Sequence, residues 1–299
     1  MVRNMNFKEM FSARTEEVGL VVETYLPPVE GYQSTVLAAM DYSVRAGGKR
    51  LRPMLMEETY RLFGGSGKEI EPFMAAIEMI HTSSLIHDDL PCMDNDTLRR
   101  GLPTAWVKFG YDMAVLAGDG LLIYSMETAA KAISMSDRPD LVARCMGILA
   151  EKTGIYGMIG GQTVDVELAG KPIPKEKLDF IYRLKTGALL EASMMIGAVL
   201  GGADEKQLKL VENMASCLGM AFQIQDDILD LTSSEEVLGK SVLSDEKNHK
   251  TTYVTLEGMK KAKQDVEMIS EEAISCLHEL PGQNEFLEAL IRMLVNREK

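Results

Sequence analysis

The sequence predicts an all-α protein, a single large helical bundle of about 10 to 12 helices. Apolar residues recur at helical spacing along most of the chain, and alternating strand patterns are almost absent. The breaks between the helical segments carry Gly, Pro or the tripeptide Asp-Arg-Pro. Because no linker rich in Gly or Ser divides the 299 residues, we predict one domain over residues 1–299.

Six segments show the helical pattern most clearly. Pro72 suits the first turn of the second segment, and Pro91 cannot lie inside a helix, so this helix should end just before Pro91. The richness in alanine and methionine fits helix interiors with an adaptable core. In chain order the segments are residues 34–47, 72–89, 112–133, 188–202, 207–231 and 284–299.

Composition excludes several classes of protein. The 45 acidic side chains outnumber the 32 basic ones, giving a net charge of -13, so nucleic-acid binding is not expected. No apolar run approaches the ~18 residues that span a bilayer, and no secretory or transit signal is present, so we expect a soluble, cytoplasmic protein without a transmembrane segment. The four cysteines show no paired C-x-x-C spacing, which favours reduced thiols over a zinc site or disulfides.

The stretch "IHDDLPCMDNDTLRRG" places four carboxylates at the end of the second predicted helix. Asp88 and Asp89 would lie at its C-terminus, where the helix dipole favours cations, so a bound metal ion would supply the missing positive charge. The residues after Pro91 can bend so that Asp94 returns toward Asp88. This motif therefore indicates a hard cation held by oxygen ligands.

A second acidic motif, "FQIQDDILD", has a more regular spacing. Gln223, Asp226, Asp227 and Asp230 fall at i, i+3, i+4 and i+7, which places them on one stripe of a helix. Repulsion between these carboxylates again calls for a cation, and the absence of clustered His or Cys favours magnesium over zinc. Since both motifs end strongly apolar helices, we expect the two helices to face each other.

One acidic run alone is usually a solvated turn or helix end. Here basic islands accompany the two motifs, and several together indicate binding of more than one phosphate group. They are "GGKRLRP" at residues 47–53, Arg99 with Arg100, "KTG" at residues 185–187, and Lys240 with Lys247 and Lys250.

With "GGQTVDVE" added, these motifs resemble the short-chain trans-isoprenyl diphosphate synthases of the polyprenyl synthetase family over nearly the whole chain. The resemblance implies a helical bundle around a deep central cavity, usually a homodimer. It implies a farnesyl or geranylgeranyl diphosphate synthase, a prenyltransferase that condenses isopentenyl diphosphate with an allylic diphosphate such as the dimethylallyl, geranyl or farnesyl ester. Three magnesium ions are expected with diphosphate bound.

The resemblance also implies a role for each site residue. Asp88, Asp94 and Asp226 would hold magnesium, with Asp89, Asp227 and Asp230 as further or water-mediated ligands. Arg99, Lys185 and Lys240 would bind the allylic diphosphate. Gln223 and the backbone carbonyl of Thr186 would stabilise a carbocation. Isopentenyl diphosphate would be bound by Lys49, Arg52, His81 and Arg100.

Product length is expected to depend on the residues that line the product cavity beside the helix of the first motif. Ser84 and Ser83 lie about one helical turn before Asp88 and should form the wall of this cavity. In the family a bulky aromatic at the Ser83 position tends to stop growth at fifteen carbons, so the small side chains favour the twenty-carbon product. The "PC" insertion within the motif is shared with many twenty-carbon synthases but also with bacterial fifteen-carbon synthases, so both products remain open.

Three alternatives remain. A class I terpene cyclase also uses magnesium and an acidic motif, although "DDILD" favours a condensing enzyme. A non-catalytic partner subunit of an isoprenyl synthase would generally lack one motif, whereas this chain has both. A metal phosphohydrolase, read from "HDD" at His87, would need more than the four histidines of this chain.

Overall fold

The computed structural model describes residues 6–232 and 251–295. The regular secondary structure of these residues is helical apart from a single two-stranded hairpin, which confirms the predicted all-α class. The chain divides into two compact units, residues 1–57 with 66–146 and residues 58–65 with 147–299. The assignment of residues 1–299 to one domain stays a prediction.

The described residues contain fourteen α-helices, more than the predicted 10 to 12 because one-turn pieces such as α5 and α12 leave no periodic signal. Among these helices none is long and apolar enough to cross a membrane. In chain order they are α1 Phe7–Thr24, α2 Ser34–Arg45, α3 Leu51–Leu62, α4 Glu71–Asp88, α5 Ala105–Phe109, α6 Tyr111–Ala130, α7 Pro139–Thr153, α8 Met158–Glu167, α9 Lys175–Ile181, α10 Ala188–Leu200, α11 Glu205–Thr232, α12 Tyr253–Glu257, α13 Met259–His278 and α14 Glu285–Val295.

Helix α4 is central to the first unit. It packs against α6, α1 and α2, and its side chains Phe73, Ile77 and Ile80 are fully buried. Each such side chain contributes about 1.5 to 3 kcal/mol on burial. This packing fixes the C-terminal end of α4, where the first acidic motif begins.

The predicted limits of α4 are confirmed. Pro72 lies in its first turn, and the helix ends at Asp88, before Pro91. Beyond it, β1 (Leu98–Arg99) and β2 (Leu102–Pro103) pair antiparallel, Leu98 opposite Pro103. The sequence pattern did not predict this hairpin, because its strands are only two residues long.

The second unit is built around α11, which packs against α10, α13 and a π-helix at Tyr182–Gly187. Helix α10 is buried on all sides from Ala188 to Val199, as its apolar composition requires. Its one acidic residue, Glu191, accepts from Lys152 of α7. The 28 residues of α11 carry the second acidic motif at their C-terminal end.

Candidate active site

The first acidic motif folds back on the end of α4. The backbone amide of Asp94 donates to the carbonyl of Asp88 at 2.9 Å, and that of Asn95 donates to the carbonyl of Leu90 at 3.1 Å. The predicted return of Asp94 toward Asp88 is thereby confirmed for the backbone. Asp88 is half-buried and Asp94 is exposed, so this loop presents carboxylates toward solvent.

Asp89 has a different environment from its neighbours. It is buried, and the Nε of Arg99 donates to both its oxygens, at 2.7 and 2.9 Å. Burial raises the pKa of Asp89, against the opposing charge and hydrogen bond of Arg99. The side chain of Asp89 therefore links the first motif to strand β1, which carries Arg99.

Cations surround a buried glutamate at the middle of α4. Glu78 accepts from Arg50 at 2.7 Å, and both side chains are almost fully buried, at 2% and 4% exposure. Burial lowers the pKa of Arg52 to about 10, with Glu78 acting in the opposite direction. Burial and then the guanidiniums of Arg52 and Arg100 lower the pKa of His81 well below 6.5, so its imidazole is neutral at neutral pH.

Arg52 has an unused donor in this cluster. Its Nε is buried and has no hydrogen-bond partner within the part of the chain that the structure describes. A buried unsatisfied donor costs about 1 to 3 kcal/mol, and more when it is charged. A bound anion such as a diphosphate would provide the missing acceptor.

The glycine-rich segment before α3 positions Arg100. Gly48 has a φ of +127°, and a Cβ there would lie 2.7 Å from Nη2 of Arg100. The guanidinium of Arg100 also donates to the carbonyl of Gly47. Arg100 itself has a φ of 55° and Gly101 a φ of 77°, the signs that a type I′ hairpin turn requires. The turn therefore places Arg100 beside the "GGKRLRP" segment, where Lys49 is exposed.

The second acidic motif lies on α11 as predicted, but its three carboxylates differ in exposure. Asp226 is half-buried, whereas Asp227 and Asp230 are both 4% exposed. One oxygen of Asp227 accepts from the hydroxyl of Tyr182 at 2.5 Å and from the backbone amide of Tyr253 at 2.7 Å. The stripe is therefore not uniformly directed toward solvent.

The π-helix presents the residues of the "KTG" motif. Lys185 donates to Asp165 of α8 at 2.6 Å, and the hydroxyl of Thr186 donates to the side-chain oxygen of Gln223 at 3.0 Å. π-helices are rare and occur frequently at functional sites. Thr186 and Gln223, which are both predicted to stabilise a carbocation, are therefore in direct contact in this unit.

The sequence model described as polyprenyl synthetase matches residues 33–289. The chain belongs to the polyprenyl synthetase family.

Relatives in the family carry two product names. The chain is 43% identical over 260 residues to a farnesyl diphosphate synthase of Geobacillus stearothermophilus, covering 87% of each chain. It is 45% identical over 265 residues to a chloroplastic geranylgeranyl pyrophosphate synthase of Catharanthus roseus, covering 87% of this chain and 73% of the relative. A geranyltransferase structure from Helicobacter pylori, complexed with magnesium and isoprenyl diphosphate, aligns with a TM-score of 0.83 at 31% identity, covering 99% of this chain and 98% of that one.

The donor chemistry of the motifs fits magnesium. Within the described ranges no three His, Cys, Asp or Glu side chains converge as a ready metal site. Magnesium usually keeps several waters and is bound by one or two carboxylates together with substrate phosphates, so it does not require a closed protein cage. The loop of Asp88 and Asp94 provides carboxylates of the kind that this coordination uses.

The two predicted wall residues lie on different faces of α4. Ser83 is 3% exposed and shares its face with Met79 and Ile86, which belong to an apolar cluster with residues of α6. Ser84 is half-buried and lies one turn before Asp88. Lys240, predicted to bind the allylic diphosphate, lies outside the described residues.

Sequence reasoning missed the residues that support the site. The sequence predicted no role for five residues that form hydrogen bonds in the site. They are Arg50 and its partner Glu78, Asp165, which accepts a hydrogen bond from Lys185, and the Asp227 partners Tyr182 and Tyr253. Asp165 and Arg50 lie inside quoted motifs and could have been singled out there. No sequence motif marks the two tyrosines, because their hydrogen-bond partner, Asp227 of α11, is distant from them in sequence.

Proposed function

We propose that the protein catalyses the magnesium-dependent head-to-tail condensation of isopentenyl diphosphate with an allylic diphosphate to give a short all-trans isoprenyl diphosphate. Membership of the polyprenyl synthetase family carries this proposal, since the relatives are named as farnesyl and geranylgeranyl diphosphate synthases. The class of activity is prenyl transfer.

For the allylic substrate, we propose that Asp88, Asp94 and Asp226 bind magnesium, three ions in all when diphosphate is bound. Bound magnesium neutralises the charge that develops on the leaving diphosphate. Arg99 and Lys185, with Lys240 from outside the described residues, bind the same group. In the structure Arg99 and Lys185 form ion pairs with Asp89 and Asp165, so binding requires them to exchange or share these partners.

For isopentenyl diphosphate, we propose a site made by Lys49, Arg52, His81 and Arg100. The orphaned Nε of Arg52 supports it, because this buried donor lacks an acceptor among the described residues. The lowered pKa of His81 also supports it, since a neutral imidazole can donate a hydrogen bond without adding to the local positive charge. Glu78 balances part of that charge from inside α4.

The chemistry requires no side-chain nucleophile. The allylic carbon–oxygen bond breaks, which leaves an allylic cation and free diphosphate. The double bond of isopentenyl diphosphate then attacks this cation and forms the new carbon–carbon bond. Finally the released diphosphate, which we propose as the base, removes a proton and so restores a double bond. The dipoles of Gln223 and of the Thr186 carbonyl stabilise the cation. The hydrogen bond between Thr186 and Gln223 supports this pairing by holding their side chains together.

We propose geranylgeranyl diphosphate as the product in preference to farnesyl diphosphate. The small side chains of Ser83 and Ser84 support the longer product. The relatives carry both product names and do not distinguish the two lengths.

A homodimer is the assembly we propose. Helix α6 buries one side in the first unit, but Leu116 and Ile123 on its other side are 51% and 70% exposed. A second copy of the chain would remove this apolar surface from water. Light scattering in solution tests the assembly by giving twice the mass of one chain.

The proposed reaction is tested by measuring release of inorganic diphosphate with each allylic starter, with and without isopentenyl diphosphate. We expect release only when both substrates and magnesium are present. Release from an allylic diphosphate alone would indicate a cyclase, and no release with any pair would indicate a non-catalytic subunit. Asp226→Ala, with helix content checked by circular dichroism, should lower turnover by orders of magnitude.

A further inference from the structure

Asp227 is more deeply buried than its neighbour Asp226. Its Oδ2 accepts two hydrogen bonds, from the Tyr182 hydroxyl at 2.5 Å and from the Tyr253 amide at 2.7 Å. The residue is 4% exposed, and adjacent residues of a helix point about 100° apart. Asp226, by contrast, is half-buried.

The donor Tyr182 begins the π-helix that carries Lys185 and Thr186. A hydroxyl that donates to a buried carboxylate forms a charge-assisted bond, which is about twice as strong as a neutral one. The bond therefore holds the first residue of the π-helix against α11.

Two further contacts join the same two elements. The side chains of Thr186 and Gln223 are hydrogen-bonded at 3.0 Å, and a Cβ at Gly219 would lie 2.8 Å from the Cα of Gly187. Residues at i, i+4 and i+8 lie on one face of a helix, so the three contacts form a continuous line along α11. The contacting pairs are Gly219 with Gly187, Gln223 with Thr186, and Asp227 with Tyr182.

We infer that Asp227 is a positioning residue, which acts through Tyr182 to hold the π-helix in register with α11, rather than a ligand of magnesium. The inference rests on the proposed function, because it assigns Asp227 to the placement of Lys185 and Thr186 at the allylic diphosphate. Asp226 keeps its proposed role as a metal ligand.

Two conservative variants separate the two roles. Tyr182→Phe removes only the hydroxyl, and Asp227→Asn removes the charge but keeps an oxygen that can accept both hydrogen bonds. If Asp227 positions the π-helix, Tyr182→Phe should lower kcat about tenfold and raise KM for the allylic diphosphate. Its KM for isopentenyl diphosphate and its half-saturating magnesium concentration should stay unchanged.

Asp227→Asn should likewise leave the half-saturating magnesium concentration unchanged, whereas the control Asp226→Asn should raise it about tenfold or more. A readout independent of turnover is hydrogen exchange in the peptide covering residues 182–187, measured without substrate. Tyr182→Phe should accelerate this exchange and Asp226→Asn should not. Circular dichroism confirms that each variant is folded.

The inference is overturned if Asp227→Asn raises the magnesium requirement as Asp226→Asn does, or if Tyr182→Phe leaves both KM and hydrogen exchange at wild-type values. Failure of the proposed function is distinct, since the wild-type protein would then show no condensation. Hydrogen exchange would still report whether Tyr182 holds the π-helix.

Discussion

At the scale of single residues, buried charges are balanced within the site. Glu78 lies inside α4 and pairs with the buried Arg50, which also donates to the carbonyl of Val44 at 2.6 Å. Removing one partner of a buried pair leaves a desolvated charge, which costs far more than the intact pair contributes. The carboxylate of Glu78 also lies close enough to Arg52 to oppose the effect of burial on the pKa of that guanidinium.

We expect Glu78→Gln to lower the free energy of unfolding by about 3 kcal/mol, because Arg50 would be left buried without a countercharge. Urea denaturation measures the effect. The matched control is Glu17→Gln, since Glu17 pairs with Arg14 on the surface of α1 and its loss should cost less than about 1 kcal/mol. Equal effects of the two substitutions would contradict the importance of the buried pair.

His81 provides a pH-dependent prediction. Its folded pKa is lowered well below 6.5, by burial and by the neighbouring guanidiniums, whereas the unfolded chain takes up the proton near its ordinary pKa of about 6.5. The unfolded state thus binds more protons between the two values. The stability contributed by neutral His81 is complete above about pH 6.5 and decreases as the pH falls.

His81→Gln should therefore reduce the loss of stability on the acid side. Urea unfolding between pH 8 and pH 5.5 should give a slope that is smaller in the variant by up to about 1.4 kcal/mol per pH unit. Superimposable pH profiles of the two proteins would show that His81 is not held neutral.

At the scale of elements, sequence patterns predicted those parts of the site that depend on local rules. Pro72 and Pro91 delimit α4, and the i, i+3, i+4, i+7 spacing placed the second motif on one helix. The π-helix at Tyr182–Gly187 was not predicted, because it forms in the context of tertiary contacts such as that with Asp227. The spacing of the first motif also could not show that the buried Asp89 accepts hydrogen bonds from Arg99.

The β1–β2 hairpin contacts the glycine-rich segment before α3 through Arg100, and Gly48→Ala tests the importance of this contact. The new Cβ would lie 2.7 Å from Nη2 of Arg100 and would also impose strain at a φ of +127°. We expect KM for isopentenyl diphosphate to rise about tenfold through displacement of Arg100, with KM for the allylic diphosphate unchanged. Steady-state kinetics with each substrate varied in turn measures both constants.

Gly19→Ala is the control for this substitution, because a Cβ at Gly19 in α1 has no atom within 4 Å. It should leave both KM values at the wild-type level. An unchanged KM for isopentenyl diphosphate in Gly48→Ala would remove Arg100 from the proposed site.

Helix α4 also carries the prediction for product length. Ser83→Tyr should shorten the product from twenty to fifteen carbons, because an aromatic ring would narrow the product cavity if Ser83 lines it as proposed. Ser83→Ala, which keeps the side chain small, should leave the product distribution unchanged. Chromatography of the dephosphorylated products measures the lengths, and an unaltered length in a folded Ser83→Tyr variant would place the limiting residue elsewhere.

At the scale of the whole molecule, the two acidic motifs were recognisable because they occur in a fixed order with the basic islands along nearly all of the chain. That order predicted the family, and the match over residues 33–289 confirms it. Product length is not fixed at this scale, since relatives of similar identity have names with different products. We propose that it depends on individual side chains such as Ser83.

The condensation itself can be followed with carbon-13-labelled isopentenyl diphosphate in separate reactions with dimethylallyl, geranyl and farnesyl diphosphate. Mass spectrometry of the products then counts the labelled units that each starter has received. We expect magnesium-dependent products up to geranylgeranyl diphosphate, with one labelled five-carbon unit added at each condensation. Consumption of an allylic starter without incorporation of label, or no product from any starter, would contradict the assignment as a condensing prenyltransferase.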